Sequence, residues 1–284
     1  MDWHKVVAEN GIAVPLLVAT SKKKPIASCI LMPALGVPAK FYRKLAQGLA
    51  DGGVTTVVVE QRGNGESSYR AGDGSVFSLT EYLRTDITAA HDWLRQYVEG
   101  VPSYIGGHSL GGHVASMFAA RHPNEFSGII HFACGMPYPA DFSLLGKMMI
   151  KIYAGLVPVS ARFFGYFPGQ KLGFAGSEYT GLMEDWRQWT QRGTYDIDGF
   201  KGTEQQMATY SGRMLSIAIA NDNMMTMRAI KRACAPFDNA KITSLILGPK
   251  EQGDFLGHIN WARKPNGAVS AVLEWLDIKD QDNK

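Results

Sequence analysis

The sequence predicts an α/β fold, a mostly parallel, twisted sheet with helices on both faces and a helical cap insertion late in the chain. Three observations carry this reading. Short apolar or β-branched runs alternate with helical patterns over most of the 284 residues, as in consecutive βαβ units. A serine flanked by glycines falls at one strand-to-helix junction. The alternation stops between about residues 135 and 212 and then resumes.

Taken in order, Lys5 to Ala8 and Ile12 to Ala19 read as strands around Asn10-Gly11, a dipeptide suited to a tight hairpin turn. Ala27 to Met32 is an apolar run, followed by a helix from Lys40 to Ala50 in which Phe41, Leu45 and Leu49 recur every four residues. Gly52-Gly53 stops that helix, and Val54 to Val59 is a run suited to a buried parallel strand. A helix from Leu79 to Val98, a strand from Pro102 to Gly107, a helix from Leu110 to Arg121 and a strand from Ser127 to Ala133 follow. Residues 135–212 are rich in Gly, Pro and aromatics and read as the cap, so that 1–134 and 213–284 form the core domain. The rhythm resumes with a strand Met214 to Ala220, a helix from Met224 to Ala235, a strand Ile242 to Leu247 and a helix from Ala268 to Ile278.

Composition excludes several function classes. A net charge of +3 is small for this length and the basic residues are scattered; Lys22-Lys23-Lys24 reads as a solvated turn, so nucleic acid is not an expected partner. Cys29, Cys134 and Cys234 show neither CxxC nor Cys/His metal spacing and read as reduced, apolar-like side chains, with no disulfide framework and no metal. No amino-terminal signal and no stretch of 18 or more residues apolar enough to span a bilayer is read, which makes a cytoplasmic location the expectation. Gly63 and Gly65 belong to neither GxGxxG nor GxxxxGK[ST], so no nucleotide cofactor is implied.

Gly107-His108-Ser109-Leu110-Gly111 matches G-x-S-x-G between a strand and a helix, where a sharp turn lets the serine project from the sheet edge. The amide groups that open the helix favour negative charge at that point. Ser109 is therefore the candidate nucleophile.

The motif Gly107 to Gly112, the turn Gln61-Arg62-Gly63-Asn64-Gly65-Glu66-Ser67 and the pair Gly257-His258 together resemble the α/β-hydrolase superfamily over nearly the whole chain. The nearest likeness is to bacterial serine hydrolases related to serine aminopeptidase-like and lysophospholipase-like enzymes. Two features depart from that pattern: Glu60 stands where the superfamily has Asp, and Met32-Pro33-Ala34-Leu35-Gly36 replaces its His-Gly pair.

A serine hydroxyl needs a base, and the base an orienting acid. Of seven histidines, His108 and His113 flank the serine, His91 sits on an apolar helix face, and His4, His122 and His131 precede the cap. His258 follows the last strand, where the resemblance places the base. In the chain order Ser, acid, His, Asp222 stands directly after a strand and is the first choice; its competing role is N-cap of the next helix. Asp254 and Asp238 are the alternates. The oxyanion donors implied are the N–H groups of Leu110 and Leu35, with Ala34 as fallback and Pro33 excluded for want of an N–H.

Phe164, Trp186 and Trp189 are the substrate-binding candidates among the large residues of 135–212 (Met148, Met149, Tyr153, Phe163, Tyr166 and Phe167), although such stripes also serve plain packing. Lys147, Lys151 and Arg162 lie among the apolar residues of Leu144 to Phe167, a mixture suited to peripheral contact with a membrane. The expected activity is hydrolysis of an ester-type bond, carboxylester or thioester, in a small, largely apolar acyl substrate, without cofactor. An acyltransferase on the same triad and a non-hydrolytic ligand-binding protein are the alternatives. Haloalkane and epoxide chemistry is disfavoured because the nucleophile position holds serine.

Overall fold

A computed structural model describes residues 1–276. Strands β1 (Asp2–Val7) and β2 (Ala13–Ala19) form an antiparallel hairpin, followed by β3 (Ala27–Met32). The hairpin turn is wider than a two-residue loop: Ala8 N–H donates to the Ile12 carbonyl, and of the Asn10-Gly11 pair only Gly11 has positive φ, at 78°. Helix α1 (Arg43–Asp51) leads to β4 (Val54–Val59). The next helical rod joins α2 (Leu79–Glu81), a π-helical turn (Tyr82–Ile87) and α3 (Thr88–Tyr97). Then come β5 (Ser103–His108), α4 (Leu110–Arg121) and β6 (Gly128–Phe132).

Residues 135–212 carry α5 (Leu144–Phe164), β7 (Tyr166–Pro168), α6 (Gly169–Leu172), β8 (Ser177–Tyr179), α7 (Thr180–Arg192) and α8 (Thr203–Thr209). The chain returns through β9 (Arg213–Ile219), α9 (Met227–Cys234), β10 (Lys241–Leu247), α10 (Pro249–Gln252) and α11 (Asn266–Trp275). The last helix ends before the expected Ile278, a position outside the described residues.

The eight-stranded sheet has the order β1-β2-β4-β3-β5-β6-β9-β10, parallel from β4 to β10. β2 runs antiparallel to both its neighbours. Alternate residues of each strand feed different faces. Leu16, Val18, Ile30, Met32, Val57 and Val59 pack with α3 and α4, whereas Leu17, Ala19, Cys29, Leu31 and Val58 pack with α1 and α11. Side chains of 135–212, among them Trp186, Trp189 and Met207, belong to the first of these two clusters.

Helix α5 corrects one expectation. It has 21 residues, a mean hydropathy of 1.3 over its most apolar window and only 17% of that window buried, so by length and composition it is long and apolar enough to cross a bilayer. The helix runs without a break through Gly146, Gly155 and Pro158.

Candidate active site

Ser109 sits between the end of β5 and the start of α4 with φ 52° and ψ −116°, a conformation rarely adopted by a residue with a side chain. Its N–H donates to the Phe132 carbonyl at 2.9 Å, which ties the turn to β6. The flanking glycines are required by space. A Cβ on Gly107 would lie 2.2 Å from the Gly111 carbonyl carbon, and one on Gly111 would lie 2.0 Å from the Met32 carbonyl oxygen.

Two further loops meet at the same sheet edge. Gly257 N–H donates to the Ala220 carbonyl at 2.9 Å, so the loop after β10 is held against the end of β9. This places His258 Nδ1 2.8 Å from Asp222 Oδ2, both side chains almost wholly buried. The other Asp222 oxygen accepts from the N–H groups of Met224 and Met225, each at 2.8 Å. Asp222 does not cap α9. That helix begins at Met227, and its N-cap is Thr226, whose hydroxyl accepts from Ala229 N–H. Asp254 and Asp238, the alternates, are exposed.

Ser109 and His258 line one cavity of about 560 Å³, together with Ala34, Leu35, Leu110 and His113. From 135–212 it receives Leu145, Met149, Tyr153, Phe174, Trp186 and Trp189. Phe164 does not belong there, which corrects its expected placement: it stands in the last turn of α5, 60% exposed, with its ring turned toward Tyr166.

The loop after β3 separates its two candidate donors. Ala34 N–H is committed to the Tyr42 hydroxyl at 3.0 Å. Leu35 N–H has no intramolecular acceptor among the described residues. Tyr42 also lies 2.7 Å from His108 Nδ1, and the Trp261 indole N–H points to His108 Nε2 at 3.5 Å. The His108 ring lies 4.9 Å from that of His258. Burial, with the neighbouring His258, holds the His108 pKa well below the ordinary histidine range and keeps it neutral. Sequence reasoning missed this Tyr42–His108–Trp261 network, because its members are 66 and 153 residues apart.

The turn after β4 is built on Glu60. Its buried carboxylate accepts from Ala39 N–H at 2.9 Å and Glu66 N–H at 3.2 Å, and a Cβ on Gly65 would meet it at 2.0 Å. Burial raises the Glu60 pKa. Arg62 of the same turn pairs with buried Asp86. Cys29 and Cys134 are buried, Cys234 is half-buried, and all three are free.

Residues 23–175 match the family model described as serine aminopeptidase, S33. A curated relative, the monoacylglycerol lipase of Mycolicibacterium smegmatis (strain ATCC 700084 / mc(2)155), is 26% identical over 129 residues, 45% of this chain and 44% of that protein. The match therefore spans less than half of that relative. Among solved structures, Est1E from Butyrivibrio proteoclasticus superposes with a TM-score of 0.61 at 15% identity, covering 98% of this chain and all of that one. A thermophilic esterase from Thermogutta terrifontis gives 0.63 at 15% identity, with 98% of each chain covered. The fold is thus that of the α/β-hydrolases, and the family match covers more than half of the residues. The chain belongs to the serine aminopeptidase S33 family, on the α/β-hydrolase fold.

Proposed function

We propose that the protein cleaves a carboxylester or thioester bond of a small, largely apolar substrate through an acyl-enzyme on Ser109. The observation that carries this is the buried His258–Asp222 pair beside a cavity that Ser109 also lines. In this reading His258 takes the serine proton as the hydroxyl attacks the carbonyl and returns it to the leaving group, while Asp222 fixes the imidazole with its proton on Nδ1. The developing oxyanion is met by Leu110 N–H, at the opening of α4, and by Leu35 N–H, which is free for that task. A water then repeats the sequence on the acyl-enzyme. Residues 135–212 act as the cap, and the aliphatic and aromatic side chains they bring to the cavity suit an acyl chain. The lipase relative supports the ester class.

A fluorophosphonate probe tests the nucleophile: labelling of the wild type and none of Ser109→Ala is the expected result, and equal labelling of both overturns it. A panel of p-nitrophenyl esters of graded length then reads the acyl preference.

The same cap meets anionic lipid surfaces from the side. Helix α5 exposes Leu144, Leu145, Ile152 and Phe163 beside exposed Lys147, Lys151 and Arg162, the composition of an interfacial helix.

A further inference from the structure

The cavity at Ser109 is mostly apolar, and its polar members are largely satisfied. Thr226 donates its hydroxyl to the Asp141 carbonyl, the Ser143 hydroxyl accepts from Gly146 N–H, and the Trp189 indole donates to the Tyr195 carbonyl. His113 is different. It lies on α4 one turn beyond Ser109, is 2% exposed, and packs against the rings of Trp189 and Tyr195 at 4.9 and 5.2 Å. Its Nε2 stands 3.1 Å from the Gly135 carbonyl. A carbonyl can only accept, so Nε2 carries the proton and Nδ1 is left with a bare lone pair. That Nδ1 has no partner, and among the described residues it is the one unpaired buried side-chain nitrogen or oxygen on a residue lining this cavity. Burial also lowers the His113 pKa to about 4, so the ring is neutral at physiological pH and Nδ1 stays an acceptor.

A buried acceptor without a donor is unfavourable, and it becomes a recognition element when the ligand brings the donor. We infer that His113 is a specificity residue, and that the substrate carries a hydroxyl or amide N–H close to the reacting carbonyl, where it donates to His113 Nδ1. His113 stands four positions beyond Ser109, about 6 Å along a helix axis. The donor group therefore lies a few bonds from the carbonyl, in the acyl part or in the alcohol part. This inference rests on the hydrolase reading above and narrows it from apolar esters to esters with one near hydrogen-bond donor.

The test compares ethyl butyrate with ethyl 3-hydroxybutyrate, whose donor is in the acyl part, and with 2-hydroxyethyl butyrate, whose donor is in the alcohol part. In the wild type one of the two hydroxylated esters is expected to exceed ethyl butyrate in kcat/KM by about ten- to a hundredfold, the range of one hydrogen bond to an otherwise unpaired group. His113→Gln places an amide where Nε2 was, keeps the bond to Gly135 and removes the acceptor, so the ratio falls to about one. His113→Asn places an amide near the Nδ1 position and keeps part of the preference. An equal ratio in the wild type and His113→Gln, or no preference in the wild type, overturns the inference.

The same esters titrated calorimetrically into Ser109→Ala give a second reading that needs no turnover: the hydroxylated ester is expected to bind more tightly than ethyl butyrate, and equal affinities overturn the inference. Fluorophosphonate labelling of Ser109 separates the two levels. Labelling with no donor preference removes the role of His113 and leaves the hydrolase; absence of labelling removes the hydrolase reading itself.

Discussion

Asp222 binds His258 with one carboxylate oxygen and the backbone of Met224 and Met225 with the other, at 2.8 Å in each case. The two functions are separable by substitution. Asp222→Asn keeps an oxygen for the two N–H groups but presents the wrong partner to His258 Nδ1–H. Its kcat is expected to fall by about 10³–10⁴-fold with little change in Tm. Asp222→Ala loses the turn as well, and about 1–2 kcal/mol of stability with it. Ester hydrolysis and thermal melts on both variants check this; a full-strength kcat in Asp222→Asn would remove the acid from the triad.

Glu178 of β8 is buried, its carboxylate held by Gly176 N–H at 2.8 Å and the Gln61 amide at 3.2 Å. Burial outweighs these bonds and pushes its pKa from 4.5 up to about 7. Between those two values the native state holds a proton that the unfolded chain has released. The contribution of Glu178 to stability therefore falls as pH rises from about 4.5 to 7 and is lowest above 7. Glu178→Gln removes the titration, and the Gln61 oxygen, which has no partner, can turn to accept from the new amide. The variant is expected to melt above the wild type at pH 8 and level with it at pH 5. A gain of the same size at both pH values contradicts the assignment.

Arg62 and Asp86 form a buried pair in which Asp86, despite its partner, is pushed up to about 6 by burial. Arg62→Met strands that carboxylate, and a loss of about 3–5 kcal/mol at pH 8 is expected in urea denaturation. The loss shrinks at pH 5, where Asp86 is protonated. Adding Asp86→Leu recovers most of the stability, because two apolar side chains leave no charge behind.

Glycines at the nucleophile turn and on α5 give opposite expectations. Gly111→Ala drives a methyl group onto the Met32 carbonyl, a backbone atom that cannot step aside, and is expected to cost more than about 2 kcal/mol. Gly155 lies inside α5 with open space around it, so Gly155→Ala is expected to add about 0.5–1 kcal/mol. Chemical denaturation of the two variants measures both signs.

Sedimentation with phosphatidylserine vesicles tests the exposed face of α5. The wild type is expected to pellet with them at low salt, while Lys147→Glu/Lys151→Glu stays in the supernatant. Equal pelleting of both proteins would remove the lipid surface as a partner.

The sheet was legible because its inner parallel strands β3, β4, β5, β6 and β9 are buried on both faces and most of them appear as β-branched or apolar runs, as Val54–Val59 does. The strands β7 and β8 were not legible. Three residues each, Tyr166–Pro168 and Ser177–Tyr179 are too short to show a period of two. The π-helical turn at Tyr82–Ile87 also escapes, since it uses the residue types of the α-helix on either side. At the site, Ser109 is marked by local spacing, whereas the commitment of Ala34 N–H to Tyr42 depends on how a loop folds back on a helical turn. His113 shows the same limit: nearness to the serine argues against a base and says nothing of the lone pair it leaves unmatched.

One hydrophobic cluster runs from Val14, Leu16 and Ile30 of the sheet through α4 to Trp186, Trp189 and Met207. Segment 135–212 is thus no detachable lobe. Its side chains fill volume that this face of the sheet and α4 would otherwise leave open to water, whereas the opposite face closes on α1 and α11 without it. Heat or denaturant should dissolve both in one cooperative step. A shortened chain lacking 135–212 would lose a wall of its interior along with the roof of its cavity.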